Sequence, residues 1–438
     1  MTLGCGHEGI AAGETCEHLP TQPAGGYIRC FTGKGWHHRL CCMTCRTAEA
    51  PSWRDACAAC LQKVENEDCW EGIEGQPEVM ERASGLTFAH AAVALPGLRA
   101  DEMIDIRALA TAGCWMALDT RGQLWHADFH QQKATLLRAR WPEDIGPVEA
   151  LELHVSADGR FAAIVQCVGS HGVVFDLAND EVSSATMRLA RGDYHCDVSP
   201  FSIAFFIHEG RTLLVHPTDW NRLDISDPAT GELLTPRISP NNGDAHFLDY
   251  FHGRLLASPD GHWVAEDGWV WSPTGYPRAW SLREWVTRNP WESEDGQSLQ
   301  SMPWRAYRWS DPMCWTGAHV LAVWGYGEDD QWMIPAVTLY DVRSGEALRR
   351  FAGPETAAAE GTDWRAAIAR PGGALVFDQH LFACSERFGI SVWDIADGVC
   401  LHRDATLKPL RHHAIDHVFL SAQPDGFFRL SRLEGAAP

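Results

Sequence analysis

Short β-prone segments separated by glycine-containing turns recur along this chain at nearly constant spacing, and a repeat of that kind leaves few folds open. The best-formed copy is Ser258-Pro259-Asp260-Gly261-His262-Trp263-Val264-Ala265-Glu266-Asp267-Gly268-Trp269-Val270-Trp271. It reads as a turn at Asp260-Gly261, a strand from Trp263, a second turn at Asp267-Gly268 and a strand from Trp269. Asp158-Gly159 and Glu209-Gly210 lie ahead of Asp260-Gly261 at intervals of 51 residues, and Asp425-Gly426 follows 165 residues later, three intervals of 55. Residues 313–317 and Pro371-Gly372-Gly373 fall near the two intermediate marks, while Asp119-Thr120-Arg121-Gly122 and Ser170-His171-Gly172 match the second turn of the opening copy. Seven units follow.

Between the marks lie apolar runs such as Phe161-Ala162-Ala163-Ile164-Val165, Leu213-Leu214-Val215 and Val320-Leu321-Ala322-Val323-Trp324. Four short strands per fifty residues is the signature of a β-propeller blade, and the long amphipathic helical patterns that a parallel α/β fold needs are absent. The expected fold class is all-β: a seven-bladed propeller over residues 85–434, preceded by a small N-terminal unit. An open ring would leave bare strand edges. The last unit, around Val418 and Phe428, is short of strands, so Leu86 to Leu95 is expected to supply its outer strand and latch the ring.

Ser391-Val392-Trp393-Asp394-Ile395, Thr338-Leu339-Tyr340-Asp341-Val342 and Val174-Phe175-Asp176-Leu177 each end on an aromatic-Asp pair. Together with the Ser-Pro-Asp-Gly and Ser-Ala-Asp-Gly turns at Ser258 and Ser156, they resemble WD40-type repeats over most of residues 85–434. The resemblance implies that the aromatic-Asp pair closes the third strand of a blade.

Cysteine divides the chain. Nine of fifteen lie between Cys5 and Cys69, in the order Cys5-x-His7, Cys16-x-His18, Cys30, Cys41, Cys42-x-x-Cys45, Cys57-x-x-Cys60, Cys69. The N-terminus lacks the basic-then-apolar plan of a signal peptide, and no run of about 18 apolar residues exists to cross a bilayer. The expected location is the cytoplasm, where such clusters hold metal more often than they form disulfides. Zinc takes four soft ligands in a tetrahedron. The two CxxC pairs could supply four thiolates for one site and the two CxH pairs a second, with Cys30, Cys41 and Cys69 as alternates; two-ion fingers often interleave their ligand pairs, so spacing leaves open which pair joins which. His37 and His38 read as surface residues. Residues 52–56 lead into 57–64, which has helical character and would aim Cys57 and Cys60 the same way from its first turn. Ligands in excess of eight favour closed, structural Zn2+ sites, with two ions expected, that replace the core a glycine-rich module of 72 residues can hardly build. Residues 73–84 read as a linker.

Cys16-Glu17-His18-Leu19 and Trp36 followed by Cys42-Met43-Thr44-Cys45 resemble the zinc finger of ubiquitin-specific proteases, which implies a ubiquitin-like protein as one class of partner.

A net charge of -22, from 36 basic and 58 acidic residues, argues against nucleic acid as a partner. Trp280, Trp285 and Trp291 lie in a connection longer than a blade requires, and tryptophans in long loops are candidate partner anchors. His412-His413-Ala414-Ile415-Asp416-His417 falls where the repeat places a strand, so its histidines should not converge on a metal. His195-Cys196-Asp197 has the residue types of a nucleophile and base, but neighbours on an extended chain point apart. No phosphate-binding glycine loop or nucleophile elbow is present. The leading expectation is a non-catalytic scaffold that binds protein partners. The alternatives are an enzyme with its site at the central channel and a ubiquitin-like-protein adaptor.

Overall fold

The computed structural model describes residues 2–8, 11–19, 26–33, 35–49, 51–67, 70–138, 145–147, 150–178, 185–238, 243–271 and 273–435. Seven sheets of three to five strands follow one another from Met103 onward. Their first strands, Met103–Ala108, Leu151–Val155, Ala204–His208, Leu256–Ala257, Met313–Trp315, Gly373–Asp378 and Arg411–His413, form the inner ring. This is the seven-bladed propeller. The second strands are largely buried, and some, such as Phe161–Gln166 and Val320–Tyr326, are almost wholly apolar, because they are covered on both faces by the neighbouring blades. Phe175-Asp176, Tyr340-Asp341 and Trp393-Asp394 each end a third strand.

The ring closes as expected. Thr87–Val93 runs antiparallel to Phe428–Glu434 as the outer strand of the seventh blade, from Phe428 opposite Val93 to Glu434 opposite Thr87. In the third blade three strands are described. Beyond them Leu233 bridges Ser226, and the Leu234 N–H donates to the Ile225 carbonyl.

Two details of the repeat differ from expectation. Trp263–Val270 is one unbroken strand, so Asp267-Gly268 is not a turn. Gly268 is there because a Cβ would stand 2.3 Å from the Phe251 carbonyl and 2.6 Å from the Tyr250 ring. The Asp425-Gly426 turn joins second and third strands, whereas Asp158-Gly159, Glu209-Gly210 and Asp260-Gly261 join first and second. Its apparent phase is one connection late, and Pro371-Gly372 merely leads into a first strand.

The N-terminal unit is a mixed sheet in the order Trp53–Ala56, Gly13–Cys16, His38–Cys42, Tyr27–Phe31, Trp70–Glu74, with the helix Ala58–Glu67 against it. The helix expected from Cys57 forms as Ala58–Glu67, and Trp53–Ala56 ahead of it is drawn into the sheet by Gly13–Cys16. The segment after it is no free linker. The Glu78 N–H donates to the Gly33 carbonyl, the Cys400 N–H to the Met80 carbonyl and the Arg82 N–H to the Cys400 carbonyl. Arg82 also pairs with Asp394 and Asp397 at 3.0 and 2.6 Å. These residues cover the outer edge of the sixth blade, which would otherwise be open to pairing.

Candidate functional site

The sheet of the N-terminal unit brings the ligand pairs together in a nested order. Gly13–Cys16 lies parallel to His38–Cys42, which carries Cys16 and His18 to Cys42 and Cys45. The Cys42 N–H reaches the Cys16 sulfur at 3.4 Å. On the other side Gly13 pairs with Ala56, and the Cys5 N–H donates to the Asp55 carbonyl, which sets Cys5 and His7 beside Cys57 and Cys60. In each group the four ligand atoms lie within 4.8 Å of one another. His18 Nδ1 stands 3.1 Å from Cys45 Sγ and 3.7 Å from Cys42 Sγ; His7 Nδ1 stands 3.2 Å from Cys60 Sγ and 3.5 Å from Cys57 Sγ. Ligands about 2.0–2.3 Å from a tetrahedral ion would be about 3.5–3.8 Å apart. Both groups could thus hold a metal ion. Of the pairings that spacing leaves open, the structure brings the eight residues together as two Cys3His groups, not as an all-thiolate group beside a Cys2His2 group.

Electrostatics favours a cation in both places. Hydrogen bonds from the backbone of His7 and Cys57 bring the Cys5 thiol down to about 6, while burial, with Cys42 and Cys16 adjoining, pushes Cys45 up to about 12. Crowded thiols do not all ionise without a positive charge among them. Of the alternates, Cys30 hydrogen-bonds Glu74 at 3.6 Å and Cys41 donates to the Cys42 carbonyl, so neither belongs to a group. Cys69 lies outside the described residues. His37 is exposed, as expected. His38 is buried, with Nδ1 2.9 Å from the Trp36 carbonyl, and is not a surface residue.

The tryptophan connection is corrected too. Trp280 and Trp285 are 0% and 1% exposed and pack edge to face in the core between the third and fourth blades. Ser281 caps the helix Leu282–Thr287, and Trp285 Nε1 donates to the Pro290 carbonyl. Trp291 is half-buried, stacked on His246 with Arg237 over its ring. The exposed large aromatics among the described residues are others: Tyr194, Trp271, Trp304, Tyr307, Trp332, Trp364, Phe388 and Phe427. All stand in connections that follow a second strand or precede a first strand, and those connections open on one face, called here the upper face. No spacing rule marks them, because their exposure depends on where the connections pack.

The N-terminal unit sits on that same face, at the fifth blade. Trp36 meets Tyr326 edge to face at 5.0 Å, Arg29 lies over the Tyr326 ring at 4.6 Å, and Arg350 lies over Tyr326 and Trp36 at 4.3 and 5.6 Å. Glu65 pairs with Arg29 and stands 3.9 Å from Arg350.

Titratable groups do meet along the inner ring. Arg107 bonds Asp105 and Glu152, Arg254 bonds Glu152 from the fourth blade, and Arg411 bonds Asp105 from the seventh. Despite burial, these arginines hold both carboxyls below their usual range. Burial, with Arg107 and Arg254 nearby, brings His154 down to about 4. The acids are saturated by ion pairs, so the ring ties blades together and offers no base poised near neutrality.

His412 Nε2 and His417 Nδ1 meet on Asp378 at 3.0 and 2.7 Å beside a cavity of about 90 Å³, while His413 turns inward to the Cys114 carbonyl. Two of the three histidines thus share one carboxylate, where alternation along a strand was expected to keep them apart. His195 is packed by Tyr194, Phe251 and Trp271, and burial raises the Cys196 thiol, so this pair is no nucleophile and base.

No family model matches the chain, and no curated protein matches it. Many solved structures do. One is a chain of a crystal structure of the mitotic checkpoint complex, 11% identical, with a TM-score of 0.46, covering 83% of this chain and 96% of that one. Among the described residues no helix is long and apolar enough to cross a membrane.

Proposed function

We propose that this protein is a non-catalytic scaffold for protein partners, in which two structural zinc ions hold an N-terminal module on the upper face of the propeller. The observation that carries this is the fixed seat of the module: Trp36, Arg29, Tyr326 and Arg350 interlock beside the exposed aromatics of the fourth and fifth blades. A rigid platform flanked by a stapled module gives a partner a wide composite surface, and half-exposed Trp and Tyr supply anchors at low entropic cost. Four protein ligands per group leave no open position for substrate or water, which supports a structural role for the metal. Thiolate-held zinc suits a reducing compartment, and the proposed location is the cytoplasm.

The test is affinity capture with the full chain beside a Cys42→Ser/Cys45→Ser variant, with zinc measured on both. A partner retained by the wild type and lost from the variant belongs to the module or its junction; one retained by both belongs to the propeller. A wild type that holds no zinc, or whose purified form turns over substrate through the Asp105–Glu152 ring, would overturn the reading.

A further inference from the structure

Where the module meets the fifth blade there is an open pocket of about 280 Å³ lined by Trp304, Trp332, Glu328, Asp329, Gln331 and Gly72. Its walls are built. The Ala306 N–H donates to the Glu328 carbonyl at 2.7 Å, and Ala306 bridges Asp329, which clamps the 304–307 segment to the loop after Val320–Tyr326. The Arg305 side chain points inward to Asp267, Asp311 and the Trp324 carbonyl. Neighbours on extended backbone face opposite ways, so Trp304 is turned out. Asp329 accepts from the Gln331 N–H and so starts the turn Asp330–Trp332. Gly72, from the N-terminal module, lies under Trp332, whose ring is 3.6 Å from where a Cβ would stand. The two indoles are 44% and 47% exposed.

We propose that this pocket takes one basic side chain, Lys or Arg, from a protein partner. The inference rests on the scaffold reading and names the chemistry by which a partner is chosen. Indole faces attract cations, and Glu328 and Asp329 add negative charge to the same wall. Of the cations nearby, Arg29 is fully buried against Glu65 and Tyr326 and offsets Glu328 less than burial does, Arg308 is held by Asp311 and Asp330, and Arg350 lies over Trp36 and Tyr326. An apolar occupant would desolvate two carboxylates without compensation, and an acidic one would be repelled. Burial pushes the Glu328 carboxyl up to about 7, which a bound ammonium would reverse. The chain's net charge of -22 also draws basic partners from a distance.

The test uses the full chain labelled with 5-fluorotryptophan and followed by fluorine NMR, with Trp304→Phe and Trp332→Phe assigning the two resonances. The probes are the capped tripeptides Ala-Lys-Ala and Ala-Arg-Ala, with Ala-norleucine-Ala as the uncharged control. The two resonances should move saturably with at least one basic probe, at millimolar concentration, and not with norleucine. Glu328→Gln should weaken that response several-fold while the other tryptophan signals stay in place. No movement with either basic probe, or equal movement with norleucine, would overturn the proposal. Partners that the scaffold captures equally well after Trp304→Ala and Trp332→Ala would leave the scaffold standing and remove the pocket as their site.

Discussion

At the scale of single residues, the same dipeptide does two jobs in one strand region. Asp260-Gly261 is a turn because Ser258 and Asp260 bond each other and the His262 N–H, and Gly261 takes φ +69°. Asp267-Gly268 is strand because Asp267 is buried, bonding Arg305 and the Asp311 N–H at 2.6 and 2.7 Å. The turn chemistry of the first is local and was legible in the sequence; the partners of the second lie about forty residues away and were not. Glu152 argues likewise. Glu152→Gln would leave the half-buried Arg254 without its anion and Arg107 with Asp105 alone, and a loss of about 1–3 kcal/mol in denaturant unfolding is expected. His154 sets a pH dependence. Its pKa is lower folded than unfolded, so its contribution is present above about pH 6.5 and is lost as pH falls towards 4. Melting temperature should decline over that window, and His154→Gln should flatten the decline; an unchanged slope would assign it to other groups.

At the scale of elements, the blades and the latch could be read from the chain because a strand's alternation and its turns are short-range patterns. Removing residues 85–96 takes away the partner of Phe428–Glu434 and the buried Val93 and Leu95, and should lower the melting temperature by roughly 10 °C. Whether the tryptophans of the long connection pack on a blade or face a partner was not legible, because neither loop length nor periodicity says which side of an element faces the core. Trp285→Ala should cost about 3–5 kcal/mol, a core penalty that a surface anchor would not show. The eight residues that could hold metal were picked out by CxH and CxxC spacing. Their partition was not, since it depends on the parallel pairing of Gly13–Cys16 with His38–Cys42, a contact between residues about 25 apart.

At the scale of the whole molecule, the metal groups, the seat on the fifth blade and the acidic aromatic pocket form one connected construction. The sheet that carries the ligands also carries Arg29 to Tyr326 and Gly72 to Trp332. Chelation is therefore expected to loosen the module from the propeller, and metal loss should expose residues 30–40 to proteolysis while the blades stay protected. The most direct test of this construction is native mass spectrometry of zinc content in the full chain and two double variants. The account predicts two ions in the wild type, one in Cys5→Ser/Cys57→Ser, which damages a single group, and none in Cys42→Ser/Cys57→Ser, which damages both. One ion in the second variant and none in the first would contradict it, because that is the pattern of an all-thiolate site beside a Cys2His2 site.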